Sequence, residues 1–296
     1  LYGLGACDMK GGLAATVHGA ALLARRKADL RKPVWVVVVG LEESSEGTGT
    51  RCLFEEDGMR PDHAIIAEPS DLQLVRAQRG HMELRLTVKG RSAHSSNPEL
   101  GKNAIYDASR LVFGLELLSE QLMKDPFLGS GVLAVTSIHS DAVSRNAIPD
   151  RCEMIIDRRL TAGESEAVVL LEVERVITRE AADASVEVIE ESVTTHTGKT
   201  YRARRASMPW ALDERHSLVQ TALSAARGVG LRPSITRWQF ATEGTYTATE
   251  ARIPTIGLGP GNPSRLHCCD EYVELKQVYR AASFYAALSN RLVGKG

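Results

Sequence analysis

Apolar positions along the first part of the chain follow two rhythms. Between Gly11 and Lys27 the small apolar residues Ala14, Val17, Ala21 and Ala24 recur at helical spacing. Val34-Trp35-Val36-Val37-Val38-Val39 is instead a continuous run, mostly β-branched. Such a run predicts a strand buried on both faces of a parallel sheet. Ala64-Ile65-Ile66-Ala67 reads the same way, so the first 75 residues predict alternating helix and parallel strand.

The rhythm then changes. Met82, Leu84, Leu86 and Val88 alternate with Glu83, Arg85, Thr87 and Lys89, which predicts a half-exposed antiparallel strand. Ala104, Ala108, Leu111, Leu115, Leu118 and Leu122 mark one face of a long helix. Strands are expected near Val132–Ile138 and Cys152–Leu160, then a helix carrying Val169, Val173, Val176 and Ile177, then a strand over Val186–Val193. The order β-α-β-β-α-β is that of the ferredoxin-like split motif. The reading therefore places an inserted domain at 79–194, with 1–78 and 195–296 forming the other domain. In the latter, Leu218, Ala222, Ala225 and Val229 mark a helix closed by glycine, Ile253–Leu258 a buried strand, and Leu275–Leu292 a terminal helix.

Composition changes this picture little and excludes several functions. The chain has 296 residues, enough for about two domains. Its formal net charge of −1 argues against nucleic acid as the main partner. No uncharged apolar run reaches the ~20 residues of a membrane span, and no signal peptide is visible. Five scattered cysteines, Cys7, Cys52, Cys152, Cys268 and Cys269, read as reduced thiols of a cytoplasmic protein. The chain opens abruptly at Leu1, so upstream residues are expected.

Candidate chemistry gathers at the ends of the apolar runs. Asp8 lies in a Gly-rich turn before a helix, Glu42 and Glu43 follow the Val-rich run, Glu68 follows Ala64–Ala67, and His267 follows the run at 253–258. Ligands of open parallel sheets bind beyond the carboxyl ends of the strands. Carboxylates packed there would repel one another, and divalent cations remove that problem. Carboxylate with imidazole suits zinc. Each feature alone also has a bland reading: Asp8 as a helix cap, Glu42 and Glu43 as a solvated strand end, Glu68 as a strand terminus. His267-Cys268-Cys269 has no spaced cysteine pair elsewhere to complete a Cys/His zinc site. His94 has no Gly-x-Ser-x-Gly elbow to pair with.

Taken in order, the motifs resemble one family. Leu1-Tyr2-Gly3-x-Gly5-Ala6-Cys7-Asp8-Met9-Lys10-Gly11-Gly12, Glu42-Glu43, Ala67-Glu68-Pro69-Ser70, Gly90-Arg91-Ser92-Ala93-His94-Ser95 and His267 resemble the dinuclear zinc amidohydrolase and exopeptidase family. That family contains acetylornithine deacetylase, succinyl-diaminopimelate desuccinylase, aminoacylase and glutamate carboxypeptidase. The resemblance implies an α/β fold, a zinc-binding mixed sheet flanked by helices, with the insert serving as a ferredoxin-like α+β lid and dimerisation domain. It implies two zinc ions, with cobalt or manganese as substitutes. Asp8 would bridge them, Glu43 and His267 would complete one, and Glu68 would bind the other. Glu42 would be the general base, which must reach the attacking water without being saturated by metal. His94 would polarise the scissile carbonyl in the partner subunit's site. Asn146 and Arg159 would bind substrate, the guanidinium gripping a carboxylate.

The expected reaction is hydrolysis of an amide in an N-acyl amino acid or small peptide, by a water shared between the zinc ions in a cytoplasmic homodimer, with neither nucleic acid nor membrane as partner. The alternatives are a dipeptidase or carboxypeptidase of the same family, or a non-catalytic dimeric binding protein. The last arises because the family's His-x-Asp zinc ligand would precede Leu1, and His18 follows Asp8 on the helix. The family's aspartate after the Gly-Thr turn is also missing, with Glu243-Gly244-Thr245-Tyr246 in its place.

Overall fold

A computed structural model describes residues 1–45 and 47–295. The chain divides into two compact units, one made of Leu1–Gln78 with the chain from Trp210 onward, the other of Arg79–Pro209. In chain order the first unit contributes α1 (Gly11–Arg25), α2 (Thr48–Glu55), β1 (Ala64–Ile66) and β2 (Leu74–Gln78). The second contributes β3 (Gly80–Lys89), α3 (Ala104–Ser119), β4 (Val132–His139), β5 (Arg151–Leu160), α4 (Glu166–Arg179), β6 (Ala184–Val188), β7 (Glu190–Thr194), β8 (Thr200–Arg204) and β9 (Ala206–Ser207). The chain returns to the first unit with β10 (Trp210–Ala211), α5 (Ser217–Gly228), β11 (Ile235–Trp238), β12 (Thr255–Gly257) and α6 (Leu275–Val293).

In the first unit the sheet runs β1–β12–β2–β10, with β11 also on β2. β1 pairs parallel with β12 and β11 parallel with β2, whereas β10 and β12 meet β2 antiparallel. α1, α5 and α6 cover it through Ala15, Ala222, Ala225, Phe284 and Leu288, packed on Leu74, Ile256 and Leu258. Ile66, Val75, Trp210 and Trp238 form a separate apolar cluster. Two glycines are required by close approach. A Cβ on Gly12 or on Gly259 would stand 2.2 or 2.3 Å from the carbonyl oxygen of Ala67. Only bare backbone lets the start of α1 and the loop after β12 converge on the end of β1, where Glu68 begins.

The Val34–Val39 run corrects the sequence reading. It forms no ladder among the described residues, and Trp35 and Val38 are 51% and 65% exposed. A strand exists through the strands beside it, and this run pairs with none among the described residues. Its β-branched composition supplies a preference for extended backbone but no burial.

In the second unit the order β6–β3–β5–β4 and the succession β-α-β-β-α-β are those of the ferredoxin-like split motif. β3 and β5 pair over ten positions, from Gly80↔Leu160 to Lys89↔Arg151. The alternation then decides the faces: Met82, Leu84, Leu86, Val88, Cys152, Met154 and Ile156 pack under α3 and α4. Two details depart from expectation. The strand expected over Val186–Val193 is two strands, parted at Ile189, and β7 turns away to pair with β8. β9 then returns to β3, with Ala206 opposite Met82. The unit therefore extends to Pro209 instead of ending at 194. Arg158, next to the expected substrate-binding Arg159, is fully buried and paired with Glu164 and Glu172.

Candidate functional site

Three side chains from distant parts of the first unit meet at one point. The ligand atoms of Asp8, Glu43 and His267 all lie within 4.8 Å of one another. His267 Nε2 is 3.0 Å from Asp8 Oδ2 and 3.4 Å from Glu43 Oε2. Asp8 is 14% exposed, whereas Glu43 and His267 are 64% and 69% exposed. The site is thus anchored on the Asp8 side and open on the other.

Each contributor is delivered by local structure. Asp8 lies in the tight turn Ala6–Lys10 that runs into α1, and the Asp8–Met9 peptide is cis. Glu42 and Glu43 begin a single 3₁₀ turn after Leu41, whose N-terminal position suits acidic groups. Glu68 directly follows β1 in Ala67-Glu68-Pro69-Ser70. That segment is clamped from two sides: Trp238 Nε1 donates to the Pro69 carbonyl at 2.8 Å, and Gly259 N donates to Ser70 Oγ at 3.0 Å. His267 sits in left-handed backbone (φ 54°) after the Pro263–Arg265 turn.

The electrostatics are those of crowded acids. Burial, then the charges of Glu42, Asp8, Glu43 and Glu243, hold the Glu68 carboxyl well above the usual carboxylate range. Burial, then Glu271, Asp8 and Glu68, push the Cys7 thiol up to about 11. Carboxylates and one imidazole converging on a point form a donor set that fits a divalent cation, whose charge would relieve this repulsion.

Two features escape a reading based on motifs. Glu271 is buried beside the Asp8 turn and accepts the backbone N–H groups of Gly5, Cys7 and Asp8 at 2.7, 2.7 and 2.8 Å. Burial alone would raise its pKa, yet these hydrogen bonds outweigh it and leave the carboxyl below its usual value. A glutamate four residues after His267 was the available signal. The second feature is a polar network: Gln78 Nε2 donates to Thr245 Oγ1 at 2.9 Å, Thr242 Oγ1 donates to Gln78 Oε1 at 2.6 Å, and Thr50 bonds Glu243. It holds the Glu243–Thr245 turn near the carboxylates.

The remaining candidates belong to the other unit. There His94 and Asn146 are brought together by backbone pairing, with a bridge between His94 and Ala147 and Ser95 N donating to the Asn146 carbonyl at 2.8 Å. His94 Nδ1 accepts the Ser96 N–H at 3.2 Å. Asn146 Nδ2 is 3.3 Å from His94 Nε2. Arg159 grips Asp157 with two bonds, at 2.9 and 3.0 Å, and Asp157 also contacts His81 at 3.0 Å. One edge of the expected substrate-binding guanidinium is therefore already occupied within the unit.

The chain matches the peptidase family M20/M25/M40 over residues 1–291, and it belongs to that family. It is 34% identical over 289 residues to "Uncharacterized protein YgeY" of Escherichia coli K12, covering 97% of this chain and 71% of that protein. It is 31% identical over 283 residues to the acetylornithine deacetylase of Klebsiella pneumoniae, covering 93% and 68%. Among solved structures it resembles aminopeptidase PepT from Bacillus cereus, with a TM-score of 0.74 at 18% identity, covering 96% and 71%. It also resembles the Bacillus subtilis YXEP protein, described as a dinuclear metal-binding peptidase of the M20 family, with a TM-score of 0.70 at 17% identity, covering 96% and 72%. At such identities the structural likeness is one of fold. Family membership makes the chain a hydrolase of the M20 type. Among the described residues no helix is long and apolar enough to cross a membrane.

Proposed function

We propose that this protein hydrolyses the amide bond of an N-acyl amino acid or small peptide with the help of two zinc ions, cobalt or manganese serving as substitutes. The observation that carries this reading is the convergence of Asp8, Glu43 and His267 in a chain of the M20 family, with Glu68 close enough for its charge to be felt. Asp8 would hold both ions, Glu43 and His267 one, and Glu68 the other. The ions would supply Lewis acidity toward the scissile carbonyl.

The protein's own groups do the rest. Glu42, one residue before a ligand, would take a proton from the attacking water and return it to the leaving amine. His94 would donate a hydrogen bond to the developing oxyanion. Asn146 and the unoccupied edge of Arg159 would hold substrate. An N-acyl amino acid is favoured over a peptide because the acetylornithine deacetylase similarity lies in sequence over nearly the whole chain, whereas the likeness to aminopeptidase PepT is one of fold.

The second unit supports a homodimer. Its α3 exposes Tyr106, Phe113 and Leu117, and β4 exposes Val132 and Ile138. An apolar helix face beside a sheet strand suits a two-fold contact. The test of function is to strip metal with a chelator, reload it, and compare N-acetyl amino acids with dipeptides. Activity should vanish and return, acting first on the acylated substrates. Glu42→Gln should abolish turnover while bound metal stays at the wild-type level. Metal lost together with activity would make Glu42 a ligand, and full activity after complete stripping would end the metal reading.

A further inference from the structure

Among the acids of the first unit, Glu271 has a geometry that none of the proposed roles uses. It adds a carboxylate to a neighbourhood already crowded with five (Asp8, Glu42, Glu43, Glu68 and Glu243), and it is buried. An additional negative charge there is unfavourable unless its surroundings are built to receive it. They are built so. Oε1 accepts the N–H groups of Cys7 and Asp8, and Oε2 accepts that of Gly5. Backbone pairing reinforces the grip. Gly3 N donates to the Glu271 carbonyl at 3.0 Å, and Leu1 and Val273 exchange both of their backbone bonds. The Gly5–Asp8 turn is therefore wrapped around one side chain, and that side chain follows His267 by four residues.

We propose that Glu271 is a positioning residue that presents Asp8 to the metal and so sets the affinity of the site. This inference rests on the metal reading above. A carboxylate satisfies three converging N–H donors because both of its oxygens are acceptors. A glutamine of the same shape must turn its NH₂ toward one of them, either the Gly5 N–H or the shared pair. The turn would shift, and with it Asp8, the most buried of the three side chains that converge there. Groups that orient metal ligands from behind are typically worth about 10–100-fold in affinity.

The test is a titration of metal-free wild type, Glu271→Gln and Glu271→Asp with Co²⁺, read from its visible absorption, and with Zn²⁺ against a chelator. Glu271→Gln should bind about 10–100-fold more weakly than wild type, with an unchanged far-ultraviolet circular dichroism spectrum. Glu271→Asp, which keeps both acceptor oxygens, should recover part of that loss. Equal affinity in all three, with only a lower melting temperature of the metal-free variants, would make Glu271 a structural brace and overturn the inference. A wild-type chain that takes up neither ion would overturn the metal reading and this inference together. Should both variants fail to fold, hydrogen exchange of wild type decides. Adding metal should slow exchange at the amides of Gly5, Cys7 and Asp8, because positioning and binding are reciprocally coupled. Unchanged exchange there would overturn the inference.

Discussion

Between Gly80–Lys89 and Arg151–Leu160 ten residue pairs run unbroken, although half the side chains in each strand are polar. Val34–Val39, in the other unit, holds only apolar residues and pairs with no strand among those described. The alternating sequences carry their instructions internally. One face must be covered, two helices of matching period follow in the chain, and a nearby strand supplies the ladder. The apolar run specifies burial on two faces and leaves both the strands and the layers to the rest of the protein. Hydrophobicity measures what a strand needs, and alternation also says where it will find it.

The same contrast separates the chemistry. The first unit gathers Asp8, Glu43 and His267 from turns far apart in sequence, whereas His94 and Asn146 are joined by the local pairing of two loops of the insert. If the insert contributes to catalysis without contributing to metal binding, His94→Ala should lower turnover about 10²–10³-fold, the usual cost of an oxyanion donor. Bound metal, read by atomic absorption, should not change. Mixing inactive His94→Ala with inactive Glu42→Gln subunits should restore about a quarter of wild-type activity in a dimer that shares sites between subunits. Exchange of subunits with no recovery would confine His94 to its own chain.

A core substitution sharpens the comparison next. Leu86→Ala, under α3 and α4, should destabilise the insert by about 2–5 kcal/mol, measured by urea unfolding. The cobalt affinity of the first unit should remain that of wild type. Coupled loss of both would mean that the units do not fold independently.

Acid should find the insert through Asp157. Burial alone would raise its carboxyl, but the bonds from His81 and Arg159 outweigh this and hold it at about 2 against an ordinary 3.8. A carboxyl lowered on folding adds stability that is complete above its unfolded pKa and is lost as pH falls toward the folded value. Asp157→Asn should therefore cost about 1–2 kcal/mol at pH 7 after allowance for partial exposure. The difference from wild type should shrink between pH 4 and pH 2, as read from urea midpoints. A constant difference across that range would assign the loss to packing. Smallest of all, Val38→Thr should change the stability of this chain by no more than about 0.5 kcal/mol, since the residue is largely exposed. A larger loss would show that the run is buried in solution.

How much was legible follows from these particulars. The helices over 104–119, 166–179, 217–228 and 275–293 and the split motif of the insert stood in the periodicity. The Asp8, Glu43 and His267 cluster stood in ordered motifs. Arg158 and Arg159 were not distinguishable as residue types. Only the pleat sends Arg158 inward to Glu164 and Arg159 outward to Asp157. β2 and β11 escaped because their sequences, Leu74–Gln78 and Ile235–Trp238, carry arginine and glutamine among few apolar residues. Glu271 escaped because its partners are backbone amides, which leave its spacing from His267 as the one signal in residue identity. The extension of the insert to Pro209 escaped because β9 is two residues long.

The bond from Trp238 to the Pro69 carbonyl gives the molecule an optical property. An indole ring that is almost fully buried donates to the peptide next to Glu68, while Trp35, half exposed, emits from a watery setting. Light emitted at the short-wavelength edge of the spectrum should therefore come from the two buried indoles, Trp210 and Trp238, the latter beside Glu68, and light at the long-wavelength edge should come largely from Trp35. Loading of the carboxylate cluster can be followed in the first while the second serves as an internal standard, with no dye attached to the protein.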